Sequence, residues 1–205
     1  MVTHTEMESS FFIHILAGGE SRRMKADKRK LLIEDVPMLD WCLLTAQTLD
    51  DSVNLLTTDF RSGQGPLAGI ETGLMESDSA IHLFLSCDMP FVSSQTILDI
   101  KDSVNRHGSI VCMEVSGQRG FPIAIAGKYL SFVTSQLNSG RRTLYSLFHH
   151  PCAKAFCWAE EDRMEATNVN TPEEFTAAKE WASIHRLAPP ITARQKKLIE
   201  PSPAG

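Results

Sequence analysis

Apolar residues along this chain fall into short continuous runs that alternate with stretches where they recur every three or four positions, and these two periods separate strands from helices. Residues 11–17, Phe-Phe-Ile-His-Ile-Leu-Ala, form a run that stops at Gly18-Gly19, as a buried parallel strand does on entering a tight loop. A helix is expected over 37–49, where Met38, Leu39, Leu43, Ala46 and Leu49 keep helical spacing, followed by a strand over 53–57. The turn Gly63-Gln64-Gly65 precedes a short helix over 66–75, and residues 80–86 make the clearest strand. Ser93 or Ser94 caps a helix carrying Ile97, Ile100 and Val104. Strands are then expected over 109–115 and 122–126, a helix over 128–137, a short helix over 143–148 and a strand near 155–158. The last helix has the strongest start signal: in Thr171-Pro172-Glu173-Glu174, a capping threonine precedes proline at the first helical position and glutamate three residues after the cap. It is expected to run to about residue 183.

Strands alternating with helices predict an α/β fold whose mostly parallel sheet is covered on both faces. With 205 residues, 42% of them hydrophobic, one core and one domain are expected, over residues 1–184. Residues 185–205 change character, with Pro189-Pro190, the basic Arg194-Gln195-Lys196-Lys197 and a Pro-Ser-Pro ending, and read as a mobile tail. A net charge of -5 argues against general nucleic-acid binding, so an anionic ligand must meet a local basic patch. Five scattered cysteines and the absence of a secretory leader pattern predict a reducing cytoplasm. No apolar run approaches the roughly 20 residues of a membrane-spanning helix, so a soluble protein with no membrane partner is expected.

The local basic patch lies just past the first strand. Between residues 22 and 30 stand six cations, Arg22, Arg23, Lys25, Lys28, Arg29 and Lys30, against a single Asp27. Neither the G-x-x-x-x-G-K-[ST] nor the G-x-G-x-x-G pattern is present, so any phosphate site here is of another kind. In an open parallel sheet, ligands bind beyond the carboxyl ends of the strands, where this loop falls if the first strand is central. Glycines let backbone N–H groups approach a phosphate closely, and each Arg or Lys offsets part of a triphosphate's charge. Taken alone, a charge run reads as a solvated face; the glycine loop behind a buried strand argues for a phosphate site instead.

The stretch Leu16-Ala17-Gly18-Gly19-Glu20-Ser21-Arg22-Arg23-Met24-Lys25-Ala26-Asp27-Lys28 resembles the signature L-A-G-G-x-S-x-R-M-G-x-D-K of molybdenum cofactor guanylyltransferases, within the nucleotidyltransferase superfamily. Three further segments resemble that family in the same order: Gly65-Pro66-Leu67-Ala68-Gly69, Cys87-Asp88-Met89-Pro90 and Asn168-Val169-Asn170-Thr171-Pro172-Glu173-Glu174. The resemblance covers residues 11–179 and implies a Rossmann-like three-layer sandwich, one strand-helix unit shorter than the family norm.

What the resemblance implies about chemistry is transfer of GMP from GTP to a terminal phosphate on molybdopterin-bound molybdenum, with magnesium (Mg2+) as cofactor and manganese (Mn2+) as the alternative. Asp88 would hold the metal, Lys28 would meet developing negative charge, and Arg23 would bind the triphosphate. The backbone of Leu16, Ala17, Gly18 and Gly19 would approach base and phosphate, and Asn168 and Asn170 would help bind nucleotide and metal. Read by position alone, Asp88 is a turn former and the asparagines are turn residues before a capped helix. Arg119, Arg141 and Arg142 match family segments on the acceptor side, although Arg141-Arg142 read equally well as a solvated face. Proteins that deliver the cofactor would be further partners.

Three departures from the family pattern stand out. Lys25 replaces the signature glycine after Met24, and Phe121 stands where a histidine is common before the proline. Residues 49–65 are too short for the strand, helix and strand the family usually places there, so Asp59 is either the family aspartate ahead of Gly65-Pro66 or the end of a shortened strand. A cytidylyl- or sugar-phosphate nucleotidyltransferase, and a noncatalytic homologue that binds nucleotide or molybdopterin, are the competing readings. His149-His150 with Cys152 and Cys157 fit no common zinc spacing and read as structural.

Overall fold

The computed structural model describes residues 10–18, 27–50, 52–107, 109–158 and 164–190. The chain runs through β1 (Phe11–Leu16), the hairpin β2 (Leu32–Ile33) and β3 (Val36–Pro37), α1 (Met38–Gln47), β4 (Val53–Leu56), α2 (Pro66–Met75) and β5 (Ile81–Ser86). It continues with α3 (Ser94–His107), β6 (Ile110–Val115), β7 (Gln118–Ala126), α4 (Leu130–Asn138), α5 (Tyr145–Phe148), β8 (Ala153–Cys157) and α6 (Pro172–Ile184). Six strands form one sheet in the order β4-β1-β5-β7-β6-β8. β1 pairs in parallel with both β4 and β5, and β6 in parallel with β8, while β7 runs antiparallel between β5 and β6.

Because successive side chains of a strand point to opposite faces, the two faces of β1 and β5 belong to different cores. Ile13, Ile15, Leu83 and Leu85 pack with Cys42 and Ala46 of α1 and with Ile97, Ile100 and Val104 of α3. On the other face, Phe84, Ile123 and Ile125 pack with Leu67, Ile70 and Leu74 of α2 and with Val133 and Leu137 of α4. Each fully buried aliphatic side chain contributes roughly 1.5–3 kcal/mol, so the three layers are held by both cores at once. A third cluster joins Ala178 and Ala182 of α6 to Ile33, Met38, Trp41, Phe91 and Val169.

The α2 face of the sheet also buries two histidines. His82 Nε2 lies 3.1 Å from the Ser79 carbonyl oxygen, which can only accept, so this nitrogen carries the proton and Nδ1 is left to accept from His14 Nε2 at 3.1 Å. His14 Nδ1 then accepts from the Asn54 amide at 3.3 Å, and the same amide nitrogen donates to Glu76. Both rings are fully buried, and His14 stacks on Phe84 with centroids 4.8 Å apart. Gly73 makes room for that stack: a Cβ there would collide with the Phe84 ring.

Two features differ from what the apolar pattern predicts. β7 begins at Gln118 rather than at 122, because Ser116 and Gly117, with φ of 50° and 76°, turn the chain directly back from β6. Its first two residues are exposed, so they carry no apolar signal. The hairpin β2–β3 was equally invisible, being four paired residues around Glu34 and Asp35 at φ of 47° and 62°. Between α1 and α2 the described residues add only β4, which ends the sheet, in keeping with the shortened 49–65 segment. Past α6, Leu187 N donates to the Ala182 carbonyl at 2.9 Å and its side chain packs on the third cluster. Residues 191–205 of the expected tail lie outside the described residues. Among the described residues no helix is long and apolar enough to cross a membrane.

Candidate active site

β1 and β5 are adjacent parallel strands, in register Leu16 with Ser86, but the chain leaving β1 goes on to β4 on one side while β5 lies on the other. Such a reversal opens a crevice at the strands' carboxyl ends, the usual ligand position in open α/β sheets. Here the backbone is tied down on both sides: Cys87 N donates to the Leu16 carbonyl at 3.1 Å, and Ala17 N donates to the Leu56 carbonyl at 2.8 Å. Gly18 passes so close to β4's end that a Cβ would stand 3.3 Å from the Thr57 carbonyl oxygen.

Asp88 follows β5 at once and is 7% exposed. Its carbonyl accepts a 2.8 Å hydrogen bond from Val169 N. Val169 is fully buried in the third cluster, and it anchors Asn168, which is exposed, and Asn170, which is half-buried, beside Asp88. Three segments remote in sequence, 16–18, 87–88 and 168–170, are thereby joined by backbone hydrogen bonds.

Glutamates that the sequence reading did not assign to the site fix this arrangement. Glu165 accepts from Ser93 N at 3.0 Å and from the Thr96 hydroxyl at 2.7 Å, tying the approach to Asn168 onto the start of α3. Glu174 accepts from Thr171 N at 2.9 Å and from Asn170 N at 2.7 Å, while Thr171 Oγ1 accepts from Glu174 N at 3.2 Å. The capping box expected from Thr171 and Glu174 thus also holds the backbone of Asn170.

Lys28 opens a 3-10 turn, Lys28–Lys30, set between the two members of an ion pair. Arg29 clasps Asp27 through Nε to Oδ1 at 2.8 Å and Nη2 to Oδ2 at 2.9 Å, and its Nη1 reaches the Ala17 carbonyl at 3.4 Å. That fork holds the Asp27 carboxyl below the usual carboxylate range. One of the six cations counted in sequence is therefore engaged in docking the segment onto the first loop. Gly19, Arg23, Lys25 and the Lys28 side chain lie outside the described residues.

Gly65 caps α2 at φ 77°, where a Cβ would come within 2.7 Å of the Arg142 carbonyl oxygen. The same oxygen accepts from Leu67 N at 3.3 Å. Asp59 lies against this helix too, its Oδ1 3.2 Å from where a Cβ on Gly69 would stand, with Leu16 beside it. Partial burial pushes its carboxyl pKa up. The short 57–65 segment is strapped to α2 by Phe60 N to Thr72 Oγ1 at 2.9 Å and by Arg61, whose Nε sits 2.7 Å from buried Glu71. The three acceptor-side arginines separate: Arg141 and Arg142 line a cavity of about 710 Å³, whereas Arg119 pairs with Glu114 at 2.9 Å and donates to the Phe148 carbonyl at 2.5 Å.

Among the described residues no group of three or more His, Cys, Asp or Glu could cage a metal ion. The Asp88 carboxylate, and the side-chain amides of Asn168 and Asn170 on either side of the Val169 that bonds the Asp88 backbone, offer hard oxygens, which suit a cation that takes one or two carboxylates and completes its shell with phosphate oxygens and water.

The profile of the MobA-like NTP transferase domain matches residues 13–155. A probable molybdenum cofactor guanylyltransferase of Methanothermobacter thermautotrophicus is 27% identical over 192 residues, covering 80% of this chain and 96% of the relative. One from Peptoclostridium acidaminophilum is 28% identical over 187 residues, covering 78% and 85%. Among solved structures, molybdopterin-guanine dinucleotide biosynthesis protein A of Archaeoglobus fulgidus superposes with a TM-score of 0.68 at 18% identity, covering 84% of this chain and 98% of that one. A 4-diphosphocytidyl-2C-methyl-D-erythritol synthase of Anaerococcus prevotii gives 0.67 at 12% identity, covering 85% and 99%, and shares the fold. With the profile spanning both the first loop's strand and Asp88, the chain belongs to the MobA-like NTP transferase domain family and is a nucleotidyltransferase.

Proposed function

We propose that this protein transfers GMP from GTP to the terminal phosphate of molybdopterin-bound molybdenum, forming the guanine dinucleotide cofactor and releasing pyrophosphate. The observation that carries the reading is the junction of segments 16–18, 87–88 and 168–170 at the carboxyl ends of β1 and β5. An oxygen of the acceptor phosphate forms a bond to the α-phosphorus as the bond from that phosphorus to the bridging oxygen breaks, and the electron pair leaves with pyrophosphate. Such a transfer needs alignment and charge neutralisation rather than a covalent enzyme nucleophile. In this reading the backbone of Leu16 to Gly19 receives base and phosphates, Arg23 binds the triphosphate, and Lys28 meets the charge on the leaving group. Asp59 and the turn at Gly65 flank the nucleotide, and Arg119, Arg141 and Arg142 serve the acceptor. Asp88, Asn168 and Asn170 would hold a magnesium ion, which supplies charge neutralisation between the phosphates when bound.

Guanine as the base is supported by the names of the relatives and by the Gly-Pro-Leu-Ala-Gly turn at Gly65. All five cysteines are free thiols, which suits a reducing cytoplasm. The deciding experiment is thermal stabilisation by nucleotide with magnesium: a ligand at 100 times its Kd adds about 2.7 kcal/mol to stability. GTP should raise the melting temperature and CTP should leave it unchanged; the opposite ranking would make the protein a cytidylyltransferase. Pyrophosphate release from GTP should then depend on added molybdopterin acceptor.

A further inference from the structure

The cavity bordered by Arg141 and Arg142 lies between α4 and the returning segment 140–151, outside the loops that meet at Asp88. Its volume, about 710 Å³, is that of a small-molecule site. Charge on its wall has one sign: Arg141 and Arg142 supply it, and no carboxylate lines the cavity. Arg141 is steadied by Nη1 to Gln136 Oε1 at 2.6 Å. An anionic occupant is therefore favoured over a neutral or cationic one.

The remaining wall is aromatic. Tyr145 and His149 stack with centroids 3.7 Å apart and planes 20° from parallel, and Phe132 meets His150 edge-on at 4.7 Å. α5 is pinned from beneath by Leu147, which is fully buried, yet Tyr145 on the same turn is 65% exposed. A stacked aromatic pair beside Arg141 and Arg142 matches a ligand with a flat ring system at one end and a phosphate at the other. The cavity also shares a wall with the nucleotide side, because the Arg142 carbonyl that bounds it accepts from Leu67 N and packs against Gly65. A phosphate at Arg141 and Arg142 would stand next to the turn that opens α2.

We propose that this cavity is the ring pocket of the acceptor, in which Tyr145 and His149 stack on a planar nitrogen heterocycle while Arg141 and Arg142 meet its phosphate. The assignment rests on the transfer reading above and adds the residues that select the acceptor. Stacking of a heterocycle on an aromatic side chain is worth roughly tenfold or more in affinity. Neopterin monophosphate, a fluorescent pterin with one phosphate, serves as the probe for the full-length protein. Its fluorescence should be quenched on titration with wild type, Tyr145→Ala should raise Kd at least tenfold, and Tyr145→Phe should stay within about twofold of wild type. GTP should still raise the melting temperature of Tyr145→Ala, which reports an intact fold and nucleotide loop. Absence of quenching by wild type, equal Kd for wild type and Tyr145→Ala, or binding of inorganic phosphate that neopterin lacking a phosphate cannot mimic or enhance would overturn the ring pocket. Pterin phosphate bound as described with no effect of GTP on stability would instead sink the transfer reading and leave the pocket standing.

Discussion

Acid should destabilise this protein well above the pH at which carboxylates protonate, and the cause is His14. Burial, with the neighbouring His82 ring adding to it, lowers the His14 pKa to about 3, and burial lowers that of His82 as well. The folded state thus refuses a proton that the unfolded chain takes up at about pH 6.5. Stability from His14 is fully present above pH 6.5 and is lost as pH falls toward the folded value near 3. Each pH unit in that window costs about 1.4 kcal/mol, so moving from pH 7.5 to pH 5.0 removes about 2 kcal/mol through His14 alone. Against a total of about 5–15 kcal/mol this is easily read from urea denaturation at the two pH values. His14→Gln keeps an amide able to donate to His82 and removes the titration; it should lower stability at pH 7.5 but show a drop to pH 5.0 smaller by about 2 kcal/mol. Equal drops in wild type and variant, or a His14 Cε1 proton resonance titrating near pH 6.5, would refute the buried neutral network.

Three further outcomes follow from the geometry. Asp88→Asn should cut pyrophosphate release on the order of 100-fold or more while shifting the melting temperature by only a few degrees, as checked by a coupled phosphate assay and calorimetry. Gly65→Ala places a Cβ at φ 77° against the Arg142 carbonyl and should cost about 2–3 kcal/mol by denaturant titration; a neutral result would mean the turn and the 140–142 segment are not packed as described. Arg61→Leu strands the buried Glu71 carboxylate, so it should destabilise by about 3 kcal/mol, and Arg61→Leu with Glu71→Gln should recover a measurable part of that in a double-mutant cycle.

Much of the candidate site was legible because it is written in short contiguous motifs. Thr171 and Glu174 form a cap pair that acts within three residues of chain to start α6, whereas the close pass of Gly18 by Thr57 joins two separate segments and shows only in the fold. Glu165 and Arg29 were not legible as site-building residues. A lone glutamate in a loop and one arginine among six cations carry no local pattern, and their roles exist only once Ser93, Thr96, Asp27 and Ala17 have been brought to them.

By itself the sequence determined the alternation of strands and helices, the two-faced burial of β1 and β5, and the motif residues expected at their carboxyl ends, since hydrophobic period and capping act over one or two turns of chain. Tertiary structure alone decided the strand order that sets β1 beside β5, the antiparallel insertion of β7, and the meeting of Asp88 with Val169. It also decided that His14 and His82, ordinary residues in two apolar runs, become a buried neutral pair, and that Arg142 closes against Gly65. These are contacts between segments tens of residues apart, settled by which buried surfaces and hydrogen bonds can be satisfied together, and no local period encodes them.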